Sequence, residues 1–188
     1  KPYPCGSLSH PSMDTLLDLV LERDILPEQV ESVYLGAGYN ILNPLRYMEP
    51  QNELEAKFSL QFCLSILLLR RRAGLREFTD EVVQSPEVRA MMKRVHTYHN
   101  PEIEAKGAEK MRSLVEIRLV DGSIVEREAF TSRGQPDRPM SREELAAKFT
   151  DCSRNTLPEE NISNAIELVY QIEDMSSIAT LVEPLTEN

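Results

Sequence analysis

The stretch SLVEIRLVDGSIVEREAF, residues 113–130, constrains the fold of this chain most strongly. Apolar and polar side chains alternate from Val115 to Leu119, which is the period of a strand with one buried face. Asp121-Gly122 follows, a pair favoured in two-residue hairpin turns because both positions tolerate φ > 0. The stretch therefore predicts a β-hairpin.

Helical patterns lie on both sides of this hairpin. A first helix is predicted with Ser9 or His10 at its N-cap and Pro11 in its first turn, because apolar residues recur one turn apart at Met13, Leu16, Leu17 and Val20. A strand is predicted around Val30–Leu35. Glycines in the stretch LGAG interrupt the pattern directly after it.

The remaining pattern is mostly helical. Residues 53–72 give the longest helix candidate, residues 76–100 read as two short helices separated near Ser85-Pro86, and a last helix runs from about 158 toward Asp174. Ser141 and Glu144 form the sequence pattern of a capping box that opens another helix. Helices before and after a hairpin predict an α+β fold, with a small sheet packed with helices.

Composition and charge exclude several function classes. The chain has 188 residues, a net charge of −10 and a pI near 4.9, so no general positive field would attract nucleic acid. No apolar run is long enough to span a membrane, and no signal-peptide pattern is present. Three cysteines without a CxxC pair favour reduced thiols, and we expect a cytoplasmic protein.

The opening stretch KPYPCGSLSH holds the first candidate catalytic pair, Lys1 and His10. A lysine on a proline-stiffened loop and a histidine at a helix N-terminus can face an anion together, because the helix end carries partial positive charge. The same dipole favours the neutral imidazole, which can act as a base. The alternative is that His10 only caps the helix and Lys1 is a solvated end.

A second stretch, LRYMEPQNELEAKFSLQF, surrounds the start of the long apolar helix with the polar side chains of Arg46, Tyr47, Lys57 and Ser59. These four are candidate substrate-binding residues. The alternative is that these side chains bind no substrate. A buried helix needs only its apolar face, and a neighbouring Lys or Arg usually extends to water.

The sequence predicts no metal site. His96 and His99 stand at i and i+3 and could share a helical face, but no carboxylate or third histidine has matching spacing, so we interpret them as surface histidines at a fraying helix end. Glycine-rich nucleotide loops, GxSxG and EF-hand patterns are all absent from the sequence, and nothing indicates a serine or cysteine nucleophile.

Five stretches taken in order, KPYPC with SHP, EAKFSLQF, LVDGS and GQPDRPMSREELAAKF, resemble the C-terminal part of the MmgE/PrpD family. This family includes 2-methylcitrate dehydratase, cis-aconitate decarboxylase and an iminodisuccinate epimerase. The resemblance covers nearly the whole chain and lies in the order and spacing of the stretches rather than in one motif.

The resemblance implies a domain arrangement. Residues 1–140 would form the α+β lid domain of a two-domain enzyme, and residues 141–188 would be C-terminal helices that return to an all-helical N-terminal domain absent from this chain. The active site would lie in the cleft between the two domains. The resemblance also implies a homodimer, small di- or tricarboxylate substrates, and no metal or organic cofactor.

The resemblance also implies roles for individual residues. Lys1 matches the lysine that the family's loop presents to the cleft, and His10 matches a histidine shortly after that loop. Tyr47 matches an active-site tyrosine, whereas Lys57 and Ser59 belong to the family's KFS stretch and either touch substrate or build the helix. Gly6 stands where the decarboxylase has a further catalytic histidine, so the chain departs from the family's decarboxylase pattern there.

These implications favour a cofactor-independent hydro-lyase, similar to 2-methylcitrate dehydratase of propionate metabolism, that abstracts a proton beside a carboxylate. Lys1 would stabilise the carboxylate charge, and His10 would take the proton or protonate the leaving hydroxyl. We expect the chain to be inactive by itself. The alternatives are an epimerase or a decarboxylase of the same family, or a noncatalytic binding or assembly module.

Overall fold

The structure, a computed structural model, describes residues 1–186. Its backbone separates into two compact units, Lys1–Pro139 and Met140–Asn188. The elements of the first unit are α1 (His10–Glu22), β1 (Val30–Ala37), α2 (Tyr39–Leu42), α3 (Glu53–Ala56), α4 (Leu60–Arg70), α5 (Asp80–Gln84), α6 (Pro86–Met92), β2 (Val95–His99), α7 (Pro101–Ala105), β3 (Ser113–Leu119) and β4 (Ile124–Ala129).

The four strands of the first unit form one mixed sheet in the order β2-β1-β3-β4. β1 pairs in parallel with β2 and antiparallel with β3, and β3 pairs antiparallel with β4. Leu35 of β1 lies opposite Thr97 on one side and Val115 on the other. The sheet and its helices confirm the predicted α+β class.

The core lies between the sheet and two helices, with α1 against β3 and β4 and α4 against β2. Leu35 and Ile117 are fully buried on the sheet side, as the alternation of a half-buried strand requires. α4 is buried along almost its whole length, so it is covered on all sides rather than along one stripe. Phe62 of α4 packs edge to face on Phe78, with ring centroids 5.1 Å apart.

The single helix predicted over residues 53–72 is wrong, because the chain breaks between α3 and α4. Ser59 has extended backbone angles, φ −118° and ψ 115°, and its hydroxyl oxygen accepts a hydrogen bond from the Phe62 backbone N–H at 3.1 Å. A serine in this conformation caps a new helix instead of continuing the old one. The break gives the chain a corner at residues 57–59.

The end of the second predicted short helix is also wrong, because residues 95–99 form strand β2. α5 and α6 do flank Ser85-Pro86 as predicted, but the chain then extends and pairs with β1. The partner strand is remote in sequence, so the local helical signal could not anticipate it.

The strand corrects the interpretation of the two neighbouring histidines. His96 and His99 stand three positions apart on a strand, so they occupy opposite faces of the sheet. His96 packs on the Tyr34 ring at 5.0 Å, whereas His99 stacks on Tyr39 at 4.2 Å. The Nε2 atom of His99 also lies 2.7 Å from Glu104 Oε2.

The predicted hairpin is confirmed, but its turn differs by one position. The Gly122 N–H donates to the Leu119 carbonyl at 2.9 Å, so Val120 and Asp121 are the central residues of the turn. Among the turn residues, Gly122 alone takes a positive φ, 85°, where a residue with a Cβ would be strained. This is the three-residue hairpin with a glycine bulge rather than the two-residue turn.

The second unit contains three α-helices within the described residues, α8 (Arg142–Ser153), α9 (Glu159–Tyr170) and α10 (Ala179–Val182). The predicted capping box is confirmed, because Ser141 Oγ accepts from the Glu144 N–H at 3.2 Å and Glu144 Oε2 accepts from the Ser141 N–H at 2.8 Å. α9 confirms the predicted last helix, and a single turn of 3₁₀ helix ends at Asp174.

Candidate active site

A cleft of about 490 Å³ opens on the first unit, within the range of roughly 300–1,000 Å³ that is typical of small-molecule sites. We use "the cleft" for this cavity alone. Its walls come from loop 1–9, which precedes α1, from residues 44–45 and from the corner between α3 and α4. The lining residues are Lys1, Pro4, Cys5, Gly6, Ser7, Leu8, Pro44, Leu45, Leu54, Lys57 and Phe58.

Backbone hydrogen bonds hold the three walls of the cleft together. The Gly6 N–H donates to the Lys57 carbonyl at 2.8 Å, which joins loop 1–9 to the corner. The Tyr47 N–H donates to the Phe58 carbonyl at 3.4 Å, and Arg46 forms an antiparallel bridge with Ser59. The corner at residues 57–59 therefore positions both other walls, so the break between α3 and α4 creates the cleft.

Lys1 and His10 converge on one atom, the Cys5 carbonyl oxygen. Lys1 Nζ donates to it at 3.3 Å, and His10 Nε2 lies 3.3 Å from it. A carbonyl oxygen only accepts, so this hydrogen bond requires the proton on Nε2 and leaves Nδ1 as the basic atom of a neutral ring. The structure thus brings together the two residues predicted to act as a pair.

The two residues differ in exposure. Lys1 is exposed and lines the cleft, whereas His10 is only 3% exposed and lies behind Cys5. The His10 ring packs edge to face on Tyr3, with centroids 5.4 Å apart. A ligand in the cleft therefore meets the lysine directly, and it reaches the imidazole only if the Cys5 segment moves.

A buried polar network holds loop 1–9 against α1. The Tyr3 hydroxyl donates to Asp14 Oδ1 at 2.5 Å, and Arg133 donates to the same carboxylate from its backbone N–H at 2.6 Å and from Nε at 2.9 Å. Burial, followed by the nearby Asp14 charge, raises the pKa of Tyr3 far above its usual range. Tyr3 therefore stays neutral and keeps its hydroxyl proton for Asp14.

The four predicted substrate-binding residues take different positions around the corner. Lys57 lines the cleft, and its Nζ pairs with Glu53 Oε1 at 3.3 Å. Arg46 is exposed with its guanidinium 5.4 Å from the Tyr47 ring centroid, and the cleft lining includes neither residue. Ser59 is fully buried. Lys1 and Lys57 are therefore the two predicted residues that share the cleft wall.

Ser59 gives a direct test of its structural role. We expect Ser59→Ala to lower the free energy of unfolding by about 1 kcal/mol, because the substitution removes the acceptor for the Phe62 N–H at the start of α4. Urea unfolding followed by circular dichroism measures the change. Ser59→Thr retains a hydroxyl acceptor and is the matched control, and an equal loss in both variants would contradict the capping role.

Sequence reasoning missed Tyr3, Asp14 and Arg133 as residues that support the site. Asp14 interrupts the buried face of α1 between Met13 and Leu16. A carboxylate in an apolar stripe indicates a buried charge that needs a partner, and this is the signal in the sequence that could have found the network. Its partner Arg133 lies beyond β4, so no local pattern could pair the two.

The comparison with known families gives a match over most of the chain. A sequence model described as the MmgE/PrpD C-terminal domain matches residues 3–173. The chain belongs to the MmgE/PrpD family. The resemblance predicted from five separate stretches is therefore confirmed.

Curated relatives of the chain are cis-aconitate decarboxylases. The Mus musculus enzyme is 26% identical over 136 residues, which are 72% of this chain and 28% of the relative. The Homo sapiens enzyme is 25% identical over 167 residues, 87% of this chain and 34% of the relative, and the Aspergillus terreus enzyme is 23% identical over 138 residues. The chain thus spans about a third of the length of the relatives it matches.

Two further features bear on the class of site. Within residues 1–186, no three or more His, Cys, Asp or Glu side chains lie together as a set of metal ligands. In the same described part of the chain, every helix is too short or too polar to cross a membrane.

Proposed function

We propose that this chain supplies the cationic wall of the active site of a lyase that acts on a small di- or tricarboxylate. The observation that carries the proposal is the placement of Lys1 and Lys57, which come from two different segments and line one cleft in a protein with a net charge of −10. Local cations in a negative protein favour a small multivalent anion over nucleic acid. The curated relatives named for cis-aconitate, a tricarboxylate, support the same substrate class.

The reaction we propose first is removal of water from a hydroxy acid, as in 2-methylcitrate dehydratase. A proton leaves the carbon beside a carboxylate, its electron pair forms the double bond, and the hydroxyl departs as water. Negative charge grows on the carboxylate oxygens, and the Lys1 ammonium stabilises it at a fixed position. No metal or organic cofactor enters this proposal.

His10 can position the loop that carries Lys1 or transfer a proton to or from substrate, and its burial in the observed conformation bears on which role it has. The ring holds the Cys5 carbonyl, to which Lys1 also donates, so in the observed conformation it positions the loop that carries the lysine. Proton transfer to or from substrate by Nδ1 needs contact with the reacting atoms. The predicted acid–base role therefore requires a shift of the Cys5 segment on substrate binding.

The family resemblance implies that Gly6 stands where the decarboxylase has a catalytic histidine, and this difference favours dehydration over decarboxylation. A Cβ at Gly6 would lie 3.0 Å from Leu45 Cδ2, so a side chain at this position requires Leu45 to shift. The names of the curated relatives favour decarboxylation instead, which is the second candidate. Epimerisation begins with the same proton abstraction and is the third.

The experiment combines the chain with an all-helical MmgE/PrpD domain, because we propose that the other half of the active site comes from such a domain. Hydroxy tricarboxylates are assayed by the absorbance of the new double bond, and cis-aconitate by release of carbon dioxide. We expect dehydration in the mixture and none from the chain alone. Carbon dioxide release without dehydration would assign the chain to the second candidate.

A binding measurement on the chain itself separates a wrong function from a mismatched domain. We expect citrate to shift the backbone NMR signals of Gly6 and Lys57 and expect Lys57→Ala to weaken these shifts. Lys93→Ala is the matched control, because Lys93 is an exposed lysine outside the cleft lining. Unchanged spectra at high citrate and low salt, together with an inactive mixture, would point to the noncatalytic module.

A further inference from the structure

The cleft exposes two large apolar side chains beside its ammonium groups. Leu54 of α3 is 63% exposed and Phe58 at the corner is 41% exposed, and both line the cavity. Apolar surface gains free energy when it leaves water, and small-molecule sites combine apolar walls with a few placed charges. These two side chains therefore favour a ligand that has an apolar part as well as carboxylates.

The end of α3 places this apolar pair next to Lys57. The Lys57 N–H donates to the Glu53 carbonyl at 3.2 Å and the Phe58 N–H donates to the Glu55 carbonyl at 2.9 Å, so the helical turn extends to Phe58. Residues three and four positions apart are neighbours on a helical turn. A carboxylate bound at the Lys57 ammonium therefore holds the adjoining part of the same ligand near the apolar pair.

Gly6 leaves room in front of this pair. A Cβ at Gly6 would lie 3.6 Å from Phe58 Cδ1, so a side chain here would fill the space between Phe58 and Leu45. The backbone does not require glycine at this position, because φ −58° and ψ 123° are extended angles that any residue adopts. The consequence of the glycine is thus an open space beside the Phe58 ring.

We propose that Leu54, Phe58 and the space at Gly6 form an apolar subsite that accepts an alkyl chain of several carbons on the substrate. The inference rests on the proposed carboxylate site. It narrows the substrate class from small di- and tricarboxylates in general to those that carry such a chain. Leu54 and Phe58 then determine specificity and take no part in proton transfer.

The size of the subsite sets the length of the chain. Side chains that are neighbours on a helical turn have Cβ atoms roughly 5–6 Å apart, so one methyl group contacts Leu54 or Phe58, whereas about four carbons reach both. Each carbon removed from water should strengthen binding by about threefold. Affinity should therefore rise steadily along a series of alkyl-substituted carboxylates.

The experiment measures binding of succinate and of 2-methyl-, 2-ethyl-, 2-propyl- and 2-butylsuccinate to the folded 188-residue chain. The backbone NMR signals of Gly6, Lys57 and Phe58 report occupancy. We expect the Kd to fall by about threefold for each added carbon, and by close to 100-fold from succinate to 2-butylsuccinate.

Variants assign the gain in affinity to the subsite. Leu54→Ala removes apolar surface, and Gly6→Ala fills the space beside Phe58, so each should remove most of the gain per carbon. Leu21→Ala is the matched control and should keep the full gain, because Leu21 is 52% exposed on α1 outside the cleft lining. Lys57→Ala should weaken binding of every member by the same factor, since the carboxylates are common to all.

The outcomes separate this inference from the proposed function. Binding of succinate with no gain from the alkyl chain would overturn the subsite and leave the proposed function in place. A gain that persists in both Leu54→Ala and Gly6→Ala would also overturn the subsite. If no member binds, both proposals fail. If the series binds as expected but the mixture with the helical domain turns over no carboxylate, the proposed function alone fails.

Discussion

Arg133→Ala is expected to lower the free energy of unfolding by about 3–5 kcal/mol, because it leaves the Asp14 carboxylate buried without its cationic partner. Asp14 is fully buried, and the substitution removes the Nε donor at 2.9 Å while it keeps the backbone N–H donor at 2.6 Å. The Arg133 side chain is 24% exposed, so water can partly replace the guanidinium and the loss should fall near the lower value.

The same substitution should loosen loop 1–9. Arg133 Nη2 donates to the Tyr3 hydroxyl at 2.7 Å, and Tyr3 in turn donates to Asp14 and packs on His10. Loss of the guanidinium therefore weakens the link that holds Tyr3, and with it Lys1, on α1. Urea unfolding followed by circular dichroism measures the change in stability.

Arg138→Ala is the matched control, because Arg138 pairs at 2.9 Å with Asp18, which lies on α1 like Asp14 but is only half-buried. Both side chains are about a third exposed, so the expected loss is below about 1 kcal/mol. Adding Asp14→Asn to Arg133→Ala should recover part of the stability, since no buried charge then remains. Equal losses for Arg133→Ala and Arg138→Ala would contradict the buried ion pair.

Lys1→Ala is expected to reduce turnover by about 10²–10³-fold in the mixture with the helical domain, the size of effect seen when one fixed donor to a developing charge is removed. The reason is the position of Lys1 on the cleft wall, where its ammonium would meet a substrate carboxylate directly. Turnover and KM are measured with the same absorbance assay on hydroxy tricarboxylates.

Stability distinguishes a functional loss from an unfolded variant. Lys1 is exposed and its Nζ makes a hydrogen bond of 3.3 Å to the Cys5 carbonyl, so Lys1→Ala should change the free energy of unfolding by no more than about 0.5 kcal/mol. Lys1→Arg retains the charge and should lose less turnover than the alanine variant, and Lys93→Ala should lose none. Near-normal turnover of Lys1→Ala would remove Lys1 from the proposed site.

Local signals in the sequence predicted the elements whose partners are close along the chain. The Ser141–Glu144 capping box forms as predicted, and β3 and β4 form the predicted hairpin with a turn of a different type, because each depends on residues only a few positions apart. The sequence predicted two residues of the cleft wall but not the chain geometry that forms the cleft. Lys1 and Lys57 were candidates, but the corner at Ser59 that brings their segments together was hidden inside an apolar run typical of one long helix.

The α+β class, the starts of α1 and α8, and the order of stretches typical of the MmgE/PrpD family follow from the amino-acid sequence alone, since periodicity and capping are encoded locally. Only the tertiary structure decided that residues 95–99 form a strand and that Arg133 neutralises Asp14. Both depend on a partner distant in the chain. Burial makes that partner necessary, because a strand needs the hydrogen bonds of a neighbouring strand and a buried charge needs a donor.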